Sequence, residues 1–148
     1  MQEVSFKDVI GRLQELNFPE VDVVIGIARG GIVPASLVAY HLGCELEFIQ
    51  LNYRDDFNQP IYKQPNLLLM PEKHSYAGKK ILLVDDVGVS GKTMKEAMSY
   101  FEGENVKTMV FKGKNADFVL FPEIATCVQW KWKLSIQNPF ELTQSGEK

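Results

Sequence analysis

The chain is poor in cysteine and histidine, and it lacks long apolar runs and any excess of positive charge. Only two of its 148 residues are Cys and two are His. Cys44 and Cys127 stand far apart and match no metal-ligand or redox spacing, so neither a disulfide framework nor a zinc site organises the fold. Both have apolar neighbours, and buried thiols in a reducing cytoplasm are expected. His41 and His74 are isolated and receive no catalytic role. The longest apolar runs, such as Ile81-Leu82-Leu83-Val84, fall far short of the roughly eighteen residues that a membrane-spanning helix needs. Glu3, Lys7 and Asp8 lie where a signal peptide would carry its apolar core, so no export and no membrane partner are expected. With 16 basic against 19 acidic residues the net charge is −3, which argues against a general nucleic-acid binder resting on a basic face.

What is present is the balance of an ordinary folded domain, with 45% hydrophobic and 24% charged residues. No repeat, low-complexity tract or linker divides the chain, so a single domain over 1–148 is expected. Apolar residues at Phe6, Val9, Ile10, Leu13 and Leu16 make a helical stripe with Ser5 as its N-cap. A β-branched run over 21–27 reads as a buried strand, broken by Arg29-Gly30-Gly31. A helix follows over 32–42, ended by Gly43, then a strand over 46–51. Further strands are expected over 81–84 and 106–111, with a helix over 92–101 between them. Strand and helix alternate, which predicts an α/β fold: a mostly parallel, twisted sheet flanked by helices. Residues 52–79 show no clear periodicity apart from Leu67-Leu68-Leu69-Met70. A connection of this length suggests a flap, opened by Tyr53 and Arg54.

Val84-Asp85-Asp86-Val87-Gly88-Val89-Ser90-Gly91-Lys92-Thr93 carries the chemistry. A nucleotide-binding P-loop would need glycine five positions before Gly91, where Asp86 stands, and a carboxylate there would repel phosphates. A phospho-receiver domain would place this acidic strand at its N-terminus and supply a third acidic residue at the end of a later strand, and neither condition is met. A third reading uses both halves. Residues 89–93 lead into a helix whose free N–H groups, with two hydroxyls, can hold a phosphate monoester. Asp85 and Asp86 can accept hydrogen bonds from vicinal hydroxyls and hold a divalent cation. A sugar phosphate satisfies all of these groups.

This stretch resembles the signature of the type I phosphoribosyltransferases, which bind 5-phosphoribosyl-1-pyrophosphate (PRPP). Gly26-Ile27-Ala28-Arg29-Gly30-Gly31-Ile32-Val33-Pro34-Ala35 resembles the family's pyrophosphate loop, above all that of its compact xanthine/guanine branch. The resemblance covers about 21–114. It implies a core over about 20–114 and a flexible flap over about 52–79, with a small C-terminal hood over about 115–141. It assigns Asp85 and Asp86 to catalysis, ribose and metal, and Val89, Ser90, Gly91, Lys92 and Thr93 to the 5′-phosphate. Arg29, Gly30 and Gly31 are assigned to pyrophosphate. Mg²⁺ is the implied cofactor, PRPP and a nucleobase the ligands, and a homodimer or homotetramer the assembly.

The acceptor base is less determined. Lys112 matches the lysine that recognises a purine 6-oxo group, while Val89 stands where 6-oxopurine enzymes usually have an Asp. The stretch Trp130-Lys131-Trp132-Lys133-Leu134-Ser135-Ile136-Gln137-Asn138-Pro139-Phe140-Glu141 resembles the hood strand of the xanthine/guanine branch. Aligned on its Pro-aromatic-acid end, it puts Ser135 at the base-stacking aromatic's position, beside Ile136, with Trp132 three residues earlier. Alternation would place Trp130 and Trp132 on a packed face, and Lys131 and Lys133 on a solvated one. The implied activity is phosphoribosyl transfer from PRPP to a 6-oxopurine of the xanthine/guanine type, as in purine salvage. The alternatives are a different base, or a regulator on this fold that senses PRPP without catalysis.

Overall fold

The computed structural model describes residues 2–52, 66–69 and 76–133. Strand β1 (Gln2–Val4) leads into helix α1 (Phe6–Glu15). The Ser5 hydroxyl accepts from the Asp8 amide at 3.1 Å, and the Ser5 amide donates to the Asp8 carboxylate at 2.9 Å. Two otherwise unpartnered donors of the first turn are thereby satisfied. These backbone and side-chain bonds to Ser5 also hold the Asp8 carboxyl below its ordinary range. Ser5→Ala is expected to cost about 1 kcal/mol in urea unfolding, and an unchanged midpoint would show the cap to be irrelevant.

Strand β2 (Val23–Ala28) passes to helix α2 (Ile32–Leu42) and back to strand β3 (Glu45–Asn52). Helix α2 has the bounds expected from sequence, with Gly43 closing it in the left-handed region at φ 67°. It packs so near the sheet that a Cβ on Gly26 would come within 2.6 Å of Ala35 Cβ. Strand β4 (Asn66–Leu69) lies inside the stretch read as a flap, at its apolar run, and pairs antiparallel with β3. Strand β5 (Lys80–Gly88), helix α3 (Lys92–Ser99) and strand β6 (Asn105–Gly113) complete the second half, followed by the short strands β7 (Phe118–Val119) and β8 (Val128–Trp130).

The main sheet runs β4-β3-β2-β5-β6-β7, and every pairing except β3–β4 is parallel. Strands β1 and β8 form a separate parallel pair. Alternation divides the central strands between two cores. Val24, Leu82 and Val84 face Val9, Leu13, Val38 and Trp130, while Val23, Ile25, Ile81 and Leu83 face Met94, Ala97 and Phe101. From β2 the chain crosses to β3 on one side, and from β5 to β6 on the other. The order of connection therefore reverses between β2 and β5, and a parallel sheet opens a crevice for ligands at the carboxyl ends of such a strand pair.

Among the described residues no helix is long and apolar enough to cross a membrane. The expectation of two buried thiols is corrected in part: Cys44 is half-buried, and burial raises its pKa, but Cys127 is exposed. Cys127 sits in the approach to β8, where its carbonyl accepts from the Gln2 amide at 3.0 Å and its side chain is left outside the core.

Candidate functional site

The two loops singled out in the sequence meet at this crevice. The first follows β2, through an Ala28–Arg29 peptide that is cis, to Gly30 and Gly31 at the start of α2. The second is the end of β5 and the turn into α3. Asp85 and Asp86 lie within β5 rather than beyond it, since the strand extends past the expected 81–84 to Gly88. It extends because β6 runs on beside it, with Val87 opposite Lys112 and Gly88 opposite Gly113. Lys112 is accordingly the penultimate residue of β6, not a residue following it.

Gly30 joins the two loops. A Cβ there would lie 2.5 Å from Asp86 Oδ1 and 3.2 Å from Asp85 Oδ1, so glycine lets the first loop approach the acidic pair without turning the Asp86 carboxylate aside. Gly31 is equally constrained by backbone, because its Cβ would lie 2.5 Å from the Val84 carbonyl oxygen and 2.7 Å from that of Ile27. Both carboxylates are partly held by their own strand: Asp85 Oδ1 accepts from the Asp86 amide and Asp86 Oδ1 from the Val87 amide, each at 2.8 Å. Burial, reinforced by the adjacent Asp86, pushes the Asp85 carboxyl well above the usual carboxylate range. Asp86 Oδ2 is engaged by the Lys133 ammonium at 2.8 Å.

Val89 and Ser90 project into solvent, Val89 with 72% of its surface exposed. Gly91, in the left-handed region at φ 80°, turns the chain into α3 and provides no side-chain cap; Gly31 likewise leaves α2 uncapped. Ser90 Oγ accepts from the Lys92 amide at 3.3 Å. Two helix N-termini therefore open on either side of the acidic pair, each suited to an anion.

Two supports of the second loop are absent from the sequence reading. Asn115, itself at φ 64°, donates from Nδ2 to the Val89 carbonyl at 3.2 Å. Gly113, at φ 115°, lies so close to the Gly88 carbonyl that no side chain fits between β5 and β6. The Lys133 contact was also missed; Lys131 and Lys133 were expected on a merely solvated face. Both are exposed, as that expectation has it, and they also pair with Glu3, at 2.9 Å, and with Asp86. A spacing of 47 residues between Asp86 and Lys133 leaves no local signal from which such a contact could be read.

Trp132 lies beyond β8, in a turn, and not in an alternating strand. Its ring stacks on Trp130 at 5.0 Å and 7°, and also meets Phe6 and Phe111. The expectation that the two tryptophans share a packed face holds, although the strand ends between them. Tyr53, Arg54, Ser135 and Ile136 lie outside the described residues, as does most of the expected hood strand.

A divalent cation fits this site in one way. No group of three or more His, Cys, Asp or Glu side chains among the described residues could cage a metal. Two adjacent carboxylates can nevertheless hold Mg²⁺ when the ligand's own oxygens and water complete the shell, which is that ion's usual habit beside phosphates.

A sequence profile described as the phosphoribosyl transferase domain matches residues 3–132. A transcriptional regulator GfcR of Methanothrix thermoacetophila is 32% identical over 91 residues, which make up 62% of this chain and 43% of the regulator. The chain thus spans less than half the length of that relative. A xanthine-guanine phosphoribosyltransferase of Cereibacter sphaeroides is 27% identical over 122 residues, 77% of this chain and 70% of that one. The crystal structure of a purine phosphoribosyltransferase from Pyrococcus horikoshii shares the fold, with a TM-score of 0.71 at 22% identity over 93% of this chain and 99% of that one. Since the profile spans most of the residues and the fold agrees, the chain belongs to the type I phosphoribosyltransferase family.

Proposed function

We propose that this chain is a phosphoribosyltransferase, transferring the 5-phosphoribosyl group from PRPP to a nucleobase with release of pyrophosphate. The carrying observation is the approach of Gly30 to Asp85 and Asp86, which unites an anion-binding helix start with two hydroxyl-accepting carboxylates. In this reading Val89, Ser90, Gly91, Lys92 and Thr93 hold the 5′-phosphate, and Arg29, Gly30 and Gly31 hold the pyrophosphate. Asp85 and Asp86 accept from the ribose hydroxyls and carry Mg²⁺, which supplies charge neutralisation for the departing pyrophosphate. The C1–oxygen bond breaks with its electron pair leaving on the pyrophosphate oxygen, a base nitrogen forms the new bond to C1, and the base's proton is released to solvent. The chain's own contribution is positioning of the reactants and exclusion of water.

A 6-oxopurine of the xanthine/guanine type is the proposed acceptor. Similarity to a protein named as a xanthine-guanine phosphoribosyltransferase supports it, as does Lys112, the penultimate residue of the strand paired with the acidic one. Trp132, Ser135 and Ile136 complete the proposed base contacts, and Tyr53 and Arg54 the flap. The setting proposed is cytoplasmic purine salvage, with a single domain of core, flap and hood assembled as a homodimer or homotetramer.

A second reading is a PRPP-sensing regulator. It is favoured by similarity to proteins named as transcriptional regulators and by Val89, which cannot take or share a proton. Pyrophosphate release from PRPP and Mg²⁺, measured separately with xanthine, guanine, hypoxanthine, adenine, uracil and orotate, separates the two. The enzyme reading expects turnover with xanthine or guanine that is lost in Asp86→Ala. Stabilisation by PRPP with turnover on none of the bases would favour the regulator, and no rise in Tm at saturating PRPP and Mg²⁺ would sink both.

A further inference from the structure

The Asp86 carboxylate has two oxygens with different neighbours. Oδ1 accepts from the Val87 amide and faces Gly30, while Oδ2 is taken by Lys133 Nζ. The Asp86 side chain is only 13% exposed, whereas the Lys133 side chain is 53% exposed. The occupant of Oδ2 is therefore an exposed ammonium set on a largely buried acceptor. Trp132, stacked on Trp130 and set against Phe6 and Phe111, fixes the backbone from which Lys133 extends. The Lys133 amide further ties that turn by donating to the Trp130 carbonyl at 3.0 Å.

We propose that Lys133 is a built-in competitor for the acidic pair: its ammonium holds the outward oxygen of Asp86 until a ribose hydroxyl or divalent cation displaces it. The inference rests on the PRPP-binding reading above and adds a residue that sets the affinity of that site. A ligand needing Asp86 Oδ2 must first break a charge-assisted bond, so its apparent affinity is lowered by the strength of that bond. The contact also provides a cationic partner for Asp86 before a cation or ligand arrives, limiting repulsion between two adjacent carboxylates.

The test is calorimetric titration of PRPP in Mg²⁺ into the wild-type chain, Lys133→Gln and Lys133→Arg. Removing the competitor should tighten PRPP binding in Lys133→Gln by roughly two- to fivefold, the span of a partly exposed ion pair, while Lys133→Arg stays near wild type. The Mg²⁺ concentration for half-maximal binding should fall in the same variant. Equal or weaker PRPP binding by a folded Lys133→Gln would overturn the competitor role while leaving the PRPP reading intact. Absence of binding by the wild-type chain would overturn that reading and the competitor role together.

Discussion

Asp85→Asn should raise the melting temperature of the ligand-free protein and weaken its binding of PRPP, two effects of opposite benefit from one atom's change. The amide keeps the size of the carboxyl, and its oxygen can still accept from the Asp86 amide, a bond of 2.8 Å in the wild-type chain. What it removes is a charge placed in a site where burial and the neighbouring carboxylate both oppose ionisation. A carboxyl with a folded pKa above its unfolded value binds its proton more tightly in the folded state. Its stabilising contribution is complete below the unfolded value and is lost as pH rises through the raised folded value. Melting of the wild-type chain without ligand or Mg²⁺ should therefore carry a downward component in that window, and Asp85→Asn should lack it. Measured above that window, where Asp85 is ionised, PRPP affinity should fall roughly ten- to hundredfold, as expected when a charged acceptor of ligand hydroxyls becomes neutral. Unaltered affinity would remove Asp85 from the proposed ribose site. The pattern would mark the acidic pair as a place where stability is given up for binding.

The sequence made some parts of this arrangement legible because the determining contacts are local. Ser5 and Asp8 form a cap three residues apart, and Gly43 ends α2 by adopting a backbone conformation of its own, so both helices could be placed closely. The acidic pair and both glycine loops were also visible, since each combines unusual residue types within a few positions. The apolar run ends the expected strand at Val84, whereas the continuation of β5 to Gly88 depends on β6 lying alongside, about twenty-five residues later in the chain. Strands β1 and β8 span only three residues each and exist through their pairing with one another across the whole chain. The Lys133 contact belongs to the same class. An alternating pattern correctly opposes tryptophan to lysine, but says nothing of which distant carboxylate the lysine meets.

Adjacent glycines of the first loop should fail in different ways when given a methyl group. In Gly31→Ala the new Cβ would press on the Val84 and Ile27 carbonyl oxygens and the Ile27 amide nitrogen, at 2.5, 2.7 and 2.9 Å. All three are backbone atoms of the central strands β2 and β5, which rotamer changes cannot move. The expected result is a loss of about 3 kcal/mol or more in denaturant unfolding, with little soluble protein at elevated temperature. In Gly30→Ala the new Cβ would instead meet side-chain atoms, Asp86 Oδ1 at 2.5 Å and its Cγ at 2.9 Å. The Asp86 carboxylate can yield by turning, at the expense of its bond from the Val87 amide and its position toward the first loop. Stability should then fall by only about 1 kcal/mol, while PRPP binding is lost or greatly weakened. Chemical denaturation and calorimetry on the pair would separate a glycine that the sheet requires from one that the site requires. If Gly30→Ala bound PRPP as the wild type does, the approach of the two loops would not be what creates the site.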